Sequence, residues 1–112
     1  MAKVSKETRI KRKKSELLEI FSTPDGNKLK TAMTLIDRAA FMTVSLEDLE
    51  EVLRTDGWVE DYQNGQNQFG RKKSANADVY LSMTKNLTAI VKQLLDIVPA
   101  EKQKSKLEEL LR

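Results

Sequence analysis

The amino-acid sequence predicts a mainly α-helical small domain with a long C-terminal helix and room for a short β-hairpin, assembling into an oligomer. Three observations carry that expectation. Apolar residues recur at three- and four-residue spacing over most of the chain, the period of one helix face. Residues 58–73 lack this period and hold Asn64-Gly65, a strong hairpin-turn signal. The last helix carries two adjacent apolar seams, more than one short partner would cover.

At 112 residues the chain suffices for one domain with a moderate core. Charged residues are 33% of it and aromatics 5%, yet the surviving apolar periodicity predicts a folded middle rather than global disorder. The sequence divides into a basic arm that runs into the first helix (1–22), a helical core (23–98) and a charged tail helix (99–112). Within the core, the hairpin is expected at 58–73 and the long helix at 75–98.

In the arm, Lys3, Lys6, Arg9, Lys11, Arg12, Lys13 and Lys14 stand against the single acid Glu7. Leu17, Leu18 and Phe21 follow at helical spacing, so the arm is expected to run solvated into a helix that docks by its C-terminal half. Thr23-Pro24-Asp25-Gly26-Asn27 then breaks the pattern, as a turn or as a start with Thr23 as cap and Pro24 in the first turn. A second helix follows on the stripe Leu29, Ala32, Met33, Ile36 and Ala40, widened by Leu35, Ala39 and Met42. Such a helix is expected to be buried on two sides.

Ser45 with Asp48 three positions on resembles a capping box and predicts a third helix, ending near Asp56 before Gly57. In the hairpin that follows, Trp58, Tyr62 and Phe69 are the residues expected to hold it against the helices, because an isolated two-stranded hairpin is marginal in water. The long helix starts with Ser74 or Asn76 as cap and is stopped by Pro99. It should span about 34 Å. One seam is Val79, Met83, Leu87, Ile90, Leu94 and Ile97. The second is Tyr80, Val91, Leu95 and Val98, and the predicted self-association surface is Tyr80, Leu87, Val91, Leu95 and Val98.

The chain has no cysteine and no histidine. That excludes disulfides, Ser-His and Cys-His catalysis and the usual zinc ligand sets. No catalytic residue, metal or cofactor is expected. Glu47, Asp48, Glu50, Glu51, Asp56, Glu60 and Asp61 are spread at helical spacing over a solvent face, which disfavours convergence on Mg²⁺. The glycines at 57, 65 and 70 do not form a phosphate-binding loop. The first residues lack a signal-peptide apolar core, and no run reaches membrane-spanning length.

The net charge of +3 conceals a segregation. Residues 1–30 hold nine Lys/Arg against four Asp/Glu, residues 31–70 two against eight, and residues 71–112 nine against five. Opposite-sign surfaces of neighbouring subunits could therefore meet while the basic ends face a polyanion. No aromatic interleaves with the arm's cations, which favours duplex phosphates over stacking on single strands. The expected DNA contacts are the seven arm cations together with Arg71, Lys72, Lys73 and Lys85. A helix-turn-helix made of helices two and three would bring four carboxylates to the phosphates and is disfavoured.

Leu35-Ile36-Asp37-Arg38-Ala39-Ala40-Phe41-Met42, Leu46-Glu47-Asp48-Leu49-Glu50, Tyr62-Gln63-Asn64-Gly65 and Phe69-Gly70-Arg71-Lys72-Lys73-Ser74 give the chain a family likeness. With Met83-Thr84-Lys85-Asn86 and Gln93-Leu94-Leu95 in the long helix, it resembles the short terminase small subunits of tailed phages and prophages, particularly of Gram-positive hosts. The likeness covers roughly residues 30–99. It implies a non-enzymatic protein of the host bacterial cytoplasm that binds duplex viral DNA near the packaging start. It also implies a homo-oligomeric ring built around long helices, and regulation of a separate large subunit that carries the ATPase and nuclease during virion assembly. It implies no residue-level DNA site. The alternatives from the residues themselves are an oligomeric adaptor that binds only protein partners and a small DNA-binding regulator.

Overall fold

The computed structural model describes residues 4–21, 26–97 and Leu111. It contains three helices and one antiparallel hairpin, in the order α1 (Lys6–Ile20), α2 (Gly26–Asp56), β1 (Val59–Gln63), β2 (Phe69–Lys73) and α3 (Ala75–Ile97). The mainly helical class, the long C-terminal helix and the hairpin are as the sequence predicts. Val98, the Thr23-Pro24 break and the charged tail helix fall outside the described residues.

Helix α1 begins earlier than a solvated arm would allow. Ser5 caps it, its Oγ accepting from the Thr8 N–H at 3.2 Å, and Glu7 sits in the first turn where the helix dipole favours an acid. At the far end the Phe21 N–H donates to the Leu17 carbonyl at 2.8 Å.

The largest departure from expectation is α2. The two helices read on either side of Ser45 are one helix of 31 residues, about 46 Å long at 1.5 Å per residue. An N-cap must leave helical geometry so that its side chain can reach the backbone ahead. Here Ser45 stays helical and is buried, as are Val44 before it and Leu46 after it. Its Oγ is the one buried side-chain oxygen without a hydrogen-bond partner among the described residues. No glycine or proline lies between Gly26 and Gly57 to break the helix. It ends where the sequence says it should: Gly57 takes φ 85° and donates its N–H to the Leu53 carbonyl at 2.9 Å.

Helix α2 is the central element, packed by α1 on one side and α3 on the other. The core joins Leu17 and Phe21 of the α1 end, Ala32, Ile36, Ala39 and Ala40 of α2, and Ile90 and Leu94 of α3. Three alanines on α2 let both neighbours approach closely, and Phe21, Ile36 and Leu94 fill the space between. Each of these large side chains contributes about 1.5–3 kcal/mol by leaving water. Leu87, Val91 and Leu95, expected at an intersubunit surface, are half-buried against this same core.

The hairpin pairs Val59 with Lys73, Glu60 with Lys72, Asp61 with Arg71, Tyr62 with Gly70 and Gln63 with Phe69. Gly65, in the connecting loop, has φ 95°, which explains the glycine after Asn64. Tyr62 lies across Gly70 so closely that a Cβ there would stand 2.6 Å from the ring. Of the three aromatics expected to anchor the hairpin, Trp58 alone does so, packing edge-on against Tyr80 of α3 with centroids 5.4 Å apart. Phe69 is 71% exposed and Tyr62 meets its own strand partner. Ser74 links hairpin to α3: its N–H donates to the Trp58 carbonyl at 2.9 Å and its Oγ caps the helix by accepting from Ala77 at 3.0 Å.

Candidate nucleic-acid interface

The helical period decides which cations of α1 face protein and which face solvent. Arg9 points at α2 and bridges two carboxylates, Asp48 at 2.6 Å and Glu47 at 3.1 Å. Those hydrogen bonds, Asp48 first, raise its already high pKa, so it stays charged at any working pH. Lys14 pairs with Asp37 of α2 at 2.7 Å, and Lys13 with Glu16 one turn along its own helix at 2.9 Å. Lys6 lies over the Phe41 ring, 5.0 Å from its centroid. Lys11 and Arg12 project from the exposed side of α1, and neither makes an ion pair among the described residues.

On the hairpin, the three adjacent cations of β2 are all matched by acids. Arg71 meets Asp61 at 3.4 Å and Lys72 meets Glu60 at 3.5 Å, both across the strand pair. Lys73 reaches Asp78 in the first turn of α3 at 2.8 Å. Lys85 stands exposed on α3 with no ion pair among the described residues. Of the eleven predicted contacts, then, Lys11, Arg12 and Lys85 present unneutralised charge, Lys6 is half engaged by an aromatic ring, and six are matched by carboxylates. Lys3 lies outside the described residues. The exposed pairs are individually weak and a phosphate could compete for them.

The acidic face of α2 is spent in the same contacts. Glu47 and Asp48 hold Arg9, Glu51 pairs with Arg54, and Glu50 accepts from the Tyr80 hydroxyl at 3.1 Å. No group of three Asp or Glu among the described residues is placed to hold a metal ion. An open groove of about 510 Å³ lies beside these residues, with Val4, Arg9 and Arg54 on its rim.

Sequence reading missed the cluster of Glu50, Tyr80 and Trp58, which ties α2, α3 and the hairpin together. The helical period places Tyr80 on the expected intersubunit seam, and within the chain its hydroxyl donates to Glu50 while its ring meets Trp58. Its bond to Glu50, and then partial burial, raise its pKa. The large apolar residues most exposed on α3 are Val79 and Leu81. Val79 lines a second open groove of about 380 Å³ with Met42 and Met83.

Among the described residues, no helix is long and apolar enough to cross a membrane. No family model matches the chain, and no curated protein or solved structure is similar to it.

Proposed function

We propose that this chain is a non-catalytic, homo-oligomeric subunit that binds duplex DNA in viral genome packaging, acting in the host cytoplasm beside a separate large subunit with ATPase and nuclease activity. The observation that carries the reading is the pair Lys11 and Arg12, exposed on a helix whose other face is docked. A helix held by Leu17 and Phe21 presents these two charges at fixed spacing, without the ordering cost of a floppy tail. Two phosphate contacts per copy give weak binding. Several copies on one assembly multiply it through effective concentration without any new contact. The family resemblance of residues 30–99 supplies the packaging context.

A specific observation favours the adaptor reading as the alternative. Arg9, Lys14, Arg71, Lys72 and Lys73 all meet acids of this same chain, so much of the cationic density serves the fold. The regulator reading loses its helix-turn-helix candidate, since Gly26–Asp56 is one unbroken helix.

Light scattering on the protein alone and with a duplex at two salt concentrations separates the two readings. DNA packaging expects a discrete oligomer whose complex dissociates as salt rises. An assembly indifferent to duplex DNA at both salts leaves the adaptor.

A further inference from the structure

The hairpin is a two-stranded sheet, and among the described residues no third strand pairs with either outer edge. The hydrogen bonds that bracket it, Ser74 N–H to Trp58 carbonyl and Asn64 N–H to Gln68 carbonyl, fix which backbone groups point inward. With the observed register, alternation along an antiparallel pair turns Glu60, Tyr62, Gly70 and Lys72 toward the partner strand. It leaves the N–H and C=O groups of Val59, Asp61 and Gln63 directed outward on one edge. Those of Phe69, Arg71 and Lys73 are directed outward on the other. Neither strand contains proline, so every outward N–H can donate.

Charge makes the two edges unlike. Strand β1 carries Glu60 and Asp61 and no cation, while β2 carries Arg71, Lys72 and Lys73 and no acid. Charges on an edge ordinarily guard it against pairing. Here they guard each edge only against its own kind: β1 against β1 opposes acids, and β2 against β2 opposes three cations. An acidic edge against a basic edge is the combination the chain already uses internally, Asp61 beside Arg71 and Glu60 beside Lys72.

We infer that the hairpin is a head-to-tail self-assembly device, in which the β1 edge of one copy pairs antiparallel with the β2 edge of the next. Keeping the internal register sets Asp61 opposite Arg71 and Gln63 opposite Phe69 of the neighbouring copy, with the outward backbone groups now bonded. The exposed Phe69 gains a strand neighbour, and a marginal two-stranded sheet becomes part of a wider one. Because the two edges differ, the contact is heterologous. Repeated, it closes into a ring or runs on as a filament. The inference rests on the oligomeric part of the proposed function and places its interface on the hairpin rather than on α3.

Proline separates the outward backbone groups from the inward ones. Asp61→Pro removes an outward N–H and leaves the hairpin's own bonds intact, so it should abolish assembly in sedimentation velocity while the helical circular dichroism stays unchanged. A second test uses the absence of native cysteine. Co-expressed Glu60→Cys and Lys72→Cys copies should form a covalent heterodimer on oxidation, since the two thiols sit on different chains and meet only where the β1 edge of one copy lies against the β2 edge of the next. Glu60→Cys alone should not. Assembly of Asp61→Pro equal to the unaltered chain, or crosslinking of Glu60→Cys alone, overturns the inference and leaves the oligomeric reading standing. A monomeric unaltered chain overturns both.

Discussion

The molecule has two cation-rich segments, α1 and the β2 strand, and they treat charge differently. In β2, every cation faces an acid, Arg71 and Lys72 across the hairpin and Lys73 on α3. In α1, the helical period sends Arg9 and Lys14 to the acids of α2 and turns Lys11 and Arg12 away from them. The attachments differ as well. Leu17 and the adjoining Phe21 fix α1 in the main core, whereas the hairpin is held through Trp58 on Tyr80 and the Ser74 junction. Cation density alone thus does not locate a polyanion site; the geometry of the nearest carboxylates does.

The difference in attachment can be broken most forcefully at Phe21. Truncation to Ala removes a fully buried ring from the seat of α1 and should cost about 3–5 kcal/mol of unfolding free energy. Urea denaturation checks it. A loss below 1 kcal/mol would mean that α1 is no better held than the hairpin.

Trp58→Ala should cost less, about 1 kcal/mol, because an edge-on aromatic pair contributes on that order beyond its area and the ring is 47% exposed. Amide exchange should quicken in Val59–Lys73 and leave α1 and α2 unchanged. Uniform quickening would show that the hairpin is part of the core after all.

The smallest expected effect is in Tyr80. Its hydrogen bond to Glu50 holds the phenol protonated above its ordinary range. The fold therefore gains stability from this group below the pKa of free tyrosine, near 10, and loses it as pH rises through the higher folded value. In a Tyr62→Phe background, absorbance titration should show Tyr80 ionising late, and Glu50→Ala should bring the midpoint down. An unchanged midpoint would remove the hydrogen bond as the cause.

Much of the fold was legible. The α2 end followed from Gly57 and the hairpin from Asn64-Gly65 between two short non-helical runs, while for the α3 start the sequence offers Ser74 or Asn76 and the structure takes Ser74. Ser45 misled because its local capping preference lost to burial within a continuous helix. The absence of glycine and proline from 27 to 56 was the signal against it. The cations of the candidate interface were legible as density but not as geometry. Arg9 is neutralised by residues 38 and 39 positions away, and Lys14 by Asp37 on another helix. Only packing decides which charges remain.

Under the proposed function, DNA is held by the unmatched cations of α1 rather than by the matched ones of β2. Fluorescence anisotropy of a labelled duplex over a salt series, comparing Lys11→Ala/Arg12→Ala with Arg71→Ala/Lys72→Ala at protein concentrations where sedimentation velocity shows each variant assembled as the unaltered chain is, tests it directly. Each phosphate contact contributes about 0.9 to the slope of log affinity against log salt. The α1 pair should lose roughly 2 from that slope per bound copy, while the β2 pair should stay close to the unaltered protein. Equal slopes in the unaltered protein and the α1 variant, with the loss appearing in the β2 variant, would contradict it.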